Sequence, residues 1–211
     1  MTREPSHVAV LTGDLVNSTE AGVSLTNMAI GRVGSLAATT AGWPGNGPDR
    51  FTRFRGDGWQ FVVEHPAWAL RALVCIHAVL KWADGFPQTR VAIGYGTLDP
   101  VTGPDLSAAS GGALVASGQA LDALDKGRLF ATAGDGVTPL HHAVLDLVEE
   151  QITGWTPEQA EAAAYFLSPR KPTLKSIANT LHISTQAVHS RLKGAGAQAL
   201  LSAITHWECS I

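Results

Sequence analysis

Residues 51–63 read FTRFRGDGWQFVV, two short β-rich runs on either side of Gly56-Asp57-Gly58. An Asp-Gly pair between runs of this kind is a strong local signal for a β-hairpin. The segment therefore predicts two antiparallel strands, over 51–55 and 59–63, that are joined by a tight turn.

The segments around this hairpin alternate between strand-like and helical patterns. Strand-like segments carry β-branched and aromatic residues, and helical ones repeat apolar residues every three or four positions. The strands are predicted over 7–12, 88–97 and 128–133, and the helices over 18–40, from 66 onward, over 107–124 and over 141–152. The order β-α-β-β-α-β-α-β predicts an α+β fold with a ferredoxin-like sheet and its helices on one face.

Composition narrows the class of protein. The chain has 211 residues, 45% of them hydrophobic, and a net charge of −3, which does not fit a disordered chain. No apolar run approaches the length of a membrane span, and the first residues lack the pattern of a secretion signal. Cys75 and Cys209 are too few for a disulfide framework. We therefore expect a soluble, cytoplasmic protein.

Charge is unevenly distributed along the chain. Residues 1–150 hold 10 Lys and Arg against 15 Asp and Glu, whereas residues 151–211 hold 5 against 3. Beyond Gly154 the pattern is helical throughout, so we divide the chain into a sheet domain, 1–152, and a small all-α domain, 153–211. An acidic body with a basic tail is common among nucleic-acid binders, although five bases also suit a solvated face.

Two carboxylates are predicted to meet at strand ends. Asp14 follows the first strand and Asp57 lies in the hairpin that should pair with it. Neighbouring carboxylates repel each other unless a cation lies between them, and Mg²⁺ is a cation that takes such ligands. The simpler alternative is that Asp14 caps a helix and Asp57 is only a turn residue.

Four stretches carry a family resemblance. They are 14–19 (DLVNST), 53–58 (RFRGDG), 90–96 (RVAIGYG) and 110–121 (SGGALVASGQAL). Together they resemble the class III nucleotidyl cyclases over residues 7–135, and the opening strand is also similar to SatD-type proteins. The resemblance implies a purine nucleotide, with or without Mg²⁺. The residues that it assigns to the nucleotide and its phosphates are Asp14, Ser18, Thr19, Arg53, Gly56 and Asp57. Of these, Asp14 and Asp57 are the implied metal ligands.

The chain departs from that family at two positions. Active cyclases place Asn and Arg where Leu114 and Gly118 stand here. A fixed cation at a developing charge contributes several kcal/mol of transition-state stabilisation, about 3 or 4 in comparable cases, and Gly118 cannot supply it. The departure favours a nucleotide sensor, with an active Mg²⁺-dependent cyclase or related phosphoryl-transfer enzyme as the alternative.

Residues 173–193 have the pattern of a helix-turn-helix. Their apolar positions predict two crossing helices, and Ser184 is predicted to cap the second one. The segment resembles the helix-turn-helix of sigma-factor region four and of response-regulator output domains. That resemblance implies contacts with double-stranded DNA from Lys175, Ser184, Thr185, Gln186, His189, Ser190, Arg191 and Lys193. A helical hairpin used for protein contact is the alternative.

These observations together predict a transcription regulator that binds DNA as a homodimer. We expect its cyclase-like domain to sense a purine nucleotide, linear or cyclic, and its tail to read an operator. A module that contacts other proteins and binds no ligand is the third hypothesis, and any nucleotide that raises the melting temperature would exclude it.

Overall fold

The computed structural model describes residues 4–54, 56–83 and 85–211, so Arg55 of the predicted hairpin turn lies outside the described residues. The strands are β1 (Ser6–Leu15), β2 (Phe51–Phe54), β3 (Gly58–Val63), β4 (Thr89–Leu98) and β5 (Phe130–Gly134). The helices are α1 (Ser18–Thr40), α2 (Ala69–Trp82), α3 (Gly112–Asp122), α4 (Pro139–Thr153), α5 (Pro157–Phe166), α6 (Leu174–Leu181), α7 (Thr185–Gly194) and α8 (Ala197–Glu208).

The five strands form one mixed sheet in the order β2-β3-β1-β4-β5. The central strand β1 pairs antiparallel with β3 and β4, β2 pairs antiparallel with β3, and β5 adds to β4 in parallel. The α+β class and the predicted order of strands and helices up to β5 are confirmed. The antiparallel register of β1 against β4 sets Asp14 directly opposite Arg90.

Helices cover both faces of the sheet, so the prediction that they lie on one face was wrong. Residues of β1 alternate between two cores, as strand geometry requires. Leu11 packs in the large cluster that includes α1 and α2, whereas Val10 packs with Ala113 of α3 on the opposite face. The close approach of α3 depends on Gly94, where a Cβ would lie 2.2 Å from the Ala113 carbonyl oxygen.

The helix predicted over 107–124 begins only at Gly112. Asp105 holds the preceding segment in a turn, because its carboxylate accepts from the backbone N–H and the hydroxyl of Ser107. Such side-chain bonds compete with helix formation. Gly111 then crosses closely over β4, where a Cβ would lie 2.4 Å from the Thr97 carbonyl oxygen.

Helix α2 lies at the centre of the molecule and is buried on nearly every side. One hydrophobic cluster runs from the sheet through α2 into α5, α7 and α8. The buried Arg71 of α2 donates to both carboxylate oxygens of Glu208 in α8, at 2.6 and 3.0 Å, and to the Leu167 carbonyl at 2.7 Å. The helices that follow Gly154 are therefore docked firmly against the sheet unit. The domain boundary at residue 152 stays a prediction.

Candidate functional site

The connection from β1 into α1 has an unusual backbone conformation at two places. Asn17 turns the chain with φ 54°, a left-handed conformation that Asn tolerates better than most residues. Gly22, with φ 83° and ψ 162°, then interrupts α1, so that the long regular part of the helix begins after it. A helix start leaves N–H groups without intrahelical partners, and such groups favour an anion.

A cleft of about 430 Å³ lies between this part of α1 and the β2–β3 hairpin. Its lining residues are Ser18, Thr19, Gly22, Val23, Thr26, Arg53, Gly56 and Asp57. Five of the six residues that the sequence assigned to the nucleotide thus line one cleft, although they come from two separate segments. The sixth, Asp14, is not part of this lining.

Hydrogen bonds hold the polar side chains of the cleft in place. The Ser18 hydroxyl donates to Asp57 at 2.5 Å, which ties α1 to the hairpin. Arg53 donates from Nε to the Gly56 carbonyl at 2.5 Å and from Nη1 to Asn27 Oδ1 at 2.7 Å. A guanidinium has five N–H donors, so these two bonds leave Arg53 with capacity for an anionic oxygen at the cleft.

Asp14 is bound by an arginine. Arg90 donates from Nε to Asp14 Oδ1 at 2.8 Å and from Nη2 to the other carboxylate oxygen. These hydrogen bonds raise the pKa of Arg90, and the charges of Asp122 and Asp57 raise it further. The guanidinium of Arg90 therefore supplies the positive charge that the neighbouring carboxylates of Asp14 and Asp57 require.

This pairing bears on the predicted metal site. A divalent cation bound to Asp14 would have to displace the Arg90 guanidinium from both carboxylate oxygens, so Asp14 as arranged does not fit a metal ligand. Within residues 4–54, 56–83 and 85–211, no group of three His, Cys, Asp or Glu side chains is arranged to hold a metal ion. Asp57 keeps its place in the cleft, where it accepts from Ser18.

The two positions that depart from the cyclase pattern lie on α3. Leu114 is partly buried and packs against the apolar cluster on the second face of the sheet. At Gly118 an added Cβ would meet nothing within 4 Å, so this side of the helix borders open space. Between them, Ser117 shares a buried 2.7 Å hydrogen bond with Thr12 of β1, which fixes the helix on the sheet.

Helices α6 and α7 form the predicted helix-turn-helix shape, with a turn over 182–184. His182 ends α6 in a left-handed conformation, with φ 54°. The Ser184 hydroxyl accepts from the Ala187 N–H at 3.1 Å, which confirms the predicted cap of α7. The inner row of the pair is buried and consists of Ile177, Ala178, Val188 and Leu192.

Most of the predicted DNA-contacting residues on this pair of helices are exposed. The exposed ones are Lys175, Ser184, Thr185, Gln186, His189, Ser190 and Lys193. Arg191 differs, because it is half-buried and donates from Nη1 to Glu161 of α5 at 2.8 Å. Its charge is used to hold α7 against α5, so the structure gives it a packing role within the protein.

Two residues that shape the site were not assigned to it from the sequence. Asn27 positions Arg53 from α1, and Arg90 binds Asp14. Arg90 stands at the start of a predicted strand, but only the register of β1 against β4 reveals its partner. Nothing in the sequence linked Asn27 to Arg53, since the contact depends on how α1 packs beside the hairpin.

Comparisons with protein-family models, with curated proteins and with solved structures found no match to this chain. None of the helices described within residues 4–54, 56–83 and 85–211 is long and apolar enough to cross a membrane. Function is therefore inferred from the residues and their geometry.

Proposed function

We propose that this protein is a DNA-binding transcription regulator whose sheet unit senses a purine nucleotide. The observation that carries the proposal is the exposed polar row on α7. Its inner residues are buried, while Gln186 and His189 extend outward from the second helix of the pair. In a helix-turn-helix this second helix enters the major groove and contacts base edges.

The charge around α7 supports the same proposal. Lys175 on α6 and Lys193 on α7 are both exposed, which suits contacts to phosphates. Gln186 suits a bidentate contact with adenine, and His189 can donate or accept at a base edge. The two lysines position the helix, and the two outward side chains supply sequence preference.

The cleft beside α1 is the proposed nucleotide site. Arg53 would bind a phosphate together with the backbone N–H groups at the start of the regular part of α1. Any Mg²⁺ would arrive with the nucleotide and contact Asp57, since Arg90 occupies Asp14. The antiparallel pairing of β1 with both β3 and β4 agrees with the sheet that the sequence led us to expect, and this supports the assignment.

The regulator is proposed to act as a homodimer in the cytoplasm. Two copies would place two α7 helices on half-sites about one DNA turn, roughly 34–36 Å, or a multiple of it apart. A nucleotide changes DNA affinity only if it binds one arrangement of the two copies more tightly than the other. The firm docking of the tail through Arg71 and Glu208 supports transmission from the sheet unit to α7.

The experiment is fluorescence anisotropy with a duplex selected from a random library. We expect Gln186→Ala and His189→Ala to reduce preference for the selected sequence, and Lys175→Ala to weaken binding to selected and scrambled duplexes alike. Ser202→Ala, on the exposed side of α8, is the control. Equal affinity of the native protein for both duplexes would reject sequence-specific reading.

An active nucleotidyl cyclase, or a related phosphoryl-transfer enzyme, is the second candidate. The observation that favours it is that Asp57, Ser18 and Arg53 share one cleft. Incubation with ATP or GTP and Mg²⁺ or Mn²⁺, followed by an assay for pyrophosphate, separates the two candidates. Turnover that disappears in Asp57→Asn would establish the enzyme, and no turnover alongside nucleotide binding would favour the sensor.

A further inference from the structure

A second cavity lies between the end of α2, the segment leading into β4 and the start of α5. Its volume is about 380 Å³, within the range of small-molecule sites. Its apolar lining includes Phe86, Pro87 and Pro157, and the nearly fully buried Trp155 also borders it. None of the residues that line it belongs to the cleft beside α1, so the two are separate sites.

One polar group of this cavity is a buried histidine. His77 is only 2% exposed, and its Nε2 lies 3.0 Å from the Ile152 carbonyl oxygen. A carbonyl can only accept, so Nε2 carries the hydrogen and Nδ1 remains a hydrogen-bond acceptor. Burial lowers the pKa of His77 to about 4, which keeps the ring neutral at physiological pH.

The second polar group is a lysine on the next turn of α2. Lys81 lines the same cavity, and its ammonium lies 3.4 Å from the Thr153 carbonyl oxygen, a long contact that leaves other donors available. An ammonium at the edge of an apolar cavity favours an anionic group on the occupant. The aromatic and proline rings favour a flat hydrophobic body.

We propose that this cavity binds a small aromatic or heteroaromatic carboxylate. Its ring packs against Phe86 and Pro157, its carboxylate pairs with Lys81, and a ring N–H or hydroxyl donates to His77. The binding is non-covalent, and the proposal does not depend on the nucleotide site or on the DNA-binding role.

An occupant would touch residues that support both of the other sites. The Thr89 hydroxyl donates to the Asp14 carbonyl at 2.8 Å, and the Gln88 carbonyl accepts from Val16 N–H at 2.8 Å, so one wall supports the end of β1. On the other wall, the Trp155 indole donates to the Ala195 carbonyl at 2.9 Å, just after α7. The cavity thus lies between the cleft and the helix-turn-helix.

The test uses the full chain without nucleotide and matched pairs of probes. Benzoate and indole-3-carboxylate are compared with their neutral amides by calorimetry and thermal shift. We expect the acids to bind and to raise the melting temperature. Lys81→Met should lower the affinity for the acids about tenfold, as expected for loss of one charge-assisted hydrogen bond. The amides should bind native protein and Lys81→Met alike, and Lys126→Met is the control.

A second variant tests the location. Ala83 lines the cavity at the end of α2, so Ala83→Phe should fill it and abolish binding of acids and amides. If Ala83→Phe does not fold, the proposal is still tested by comparing the acid-to-amide affinity ratio of Lys81→Met with that of the native protein. Absence of heat and thermal shift for both acids, or an unchanged ratio in Lys81→Met, would overturn the proposal.

Discussion

Arg90 on β4 binds both carboxylate oxygens of Asp14, its direct neighbour across the β1–β4 ladder. Because of this pair, the carboxylate at the end of β1 is neutralised within the chain, while Asp57 is bonded to Ser18 at the cleft. The two carboxylates that were predicted as metal ligands therefore have different partners, because Asp14 is paired with Arg90 and Asp57 accepts from Ser18 at the cleft.

Removal of Arg90 should make the protein responsive to divalent cations. In Arg90→Gln, Asp14 and the nearby Asp57 and Asp122 lose their shared cation, so we expect stability to fall by about 1 kcal/mol, a small value because the pair is partly exposed. Millimolar MgCl₂ should restore part of the melting temperature of the variant and leave the native protein unchanged.

Arg191→Gln is the matched control, because Arg191 is a partly exposed arginine that pairs with the single carboxylate of Glu161, away from the cleft. Its melting temperature should not respond to MgCl₂. An equal Mg²⁺ response in native protein and Arg90→Gln would show that Arg90 does not replace a metal ion.

Alanine substitution at two glycines where α3 packs on the sheet should change the free energy of unfolding in opposite directions. Gly94→Ala would force a Cβ against the Ala113 carbonyl and the Ser117 nitrogen, so we expect a loss of about 1–3 kcal/mol or more. Gly118→Ala faces open space within α3 and should gain up to about 1 kcal/mol of helix stability. Urea unfolding of both variants provides the measurement. Equal effects would contradict the close packing of α3 on β4.

Stability should fall as pH falls below about 6.5, in part because of His77. Burial depresses its folded-state pKa to about 4 from an ordinary 6.5, so between these values the unfolded chain binds a proton that the folded chain does not. The contribution amounts to about 2 kcal/mol between pH 7 and pH 5.

His77→Gln, which does not titrate, should remove this part of the pH dependence in urea unfolding curves. His141, whose pKa is also lowered by burial, acts in the same direction in both proteins and cancels in the comparison. Identical pH profiles for native protein and variant would show that His77 is not buried as described.

Substitution of Arg191 should affect stability, whereas substitution of Lys193 should affect DNA affinity, although both residues were predicted to contact DNA. Lys193→Gln should leave stability unchanged and reduce the slope of log K against log salt by about 1. Arg191→Gln should cost about 1 kcal/mol of stability, through loss of its pair with Glu161, and leave that slope unchanged. A reduced salt slope in Arg191→Gln would show that this arginine leaves Glu161 to contact phosphate.

Local patterns predicted the elements well, because periodicity and turn residues act over short distances. The hairpin around Asp57 and the Ser184 cap are confirmed for this reason. Relations between distant segments could not be predicted in the same way. The pairing of Asp14 with Arg90 depends on strand register, and the position of α3 on the second face depends on the close contact at Gly94.

The most direct test of the regulator hypothesis measures affinity for the selected duplex with and without purine nucleotides. We use ATP, GTP, cyclic AMP and cyclic GMP in turn. At least one should change the Kd by fivefold or more, the lower end of typical allosteric coupling, and Arg53→Ala should abolish the change. Sequence-specific binding that no nucleotide alters, or a nucleotide effect that persists in Arg53→Ala, would contradict the account.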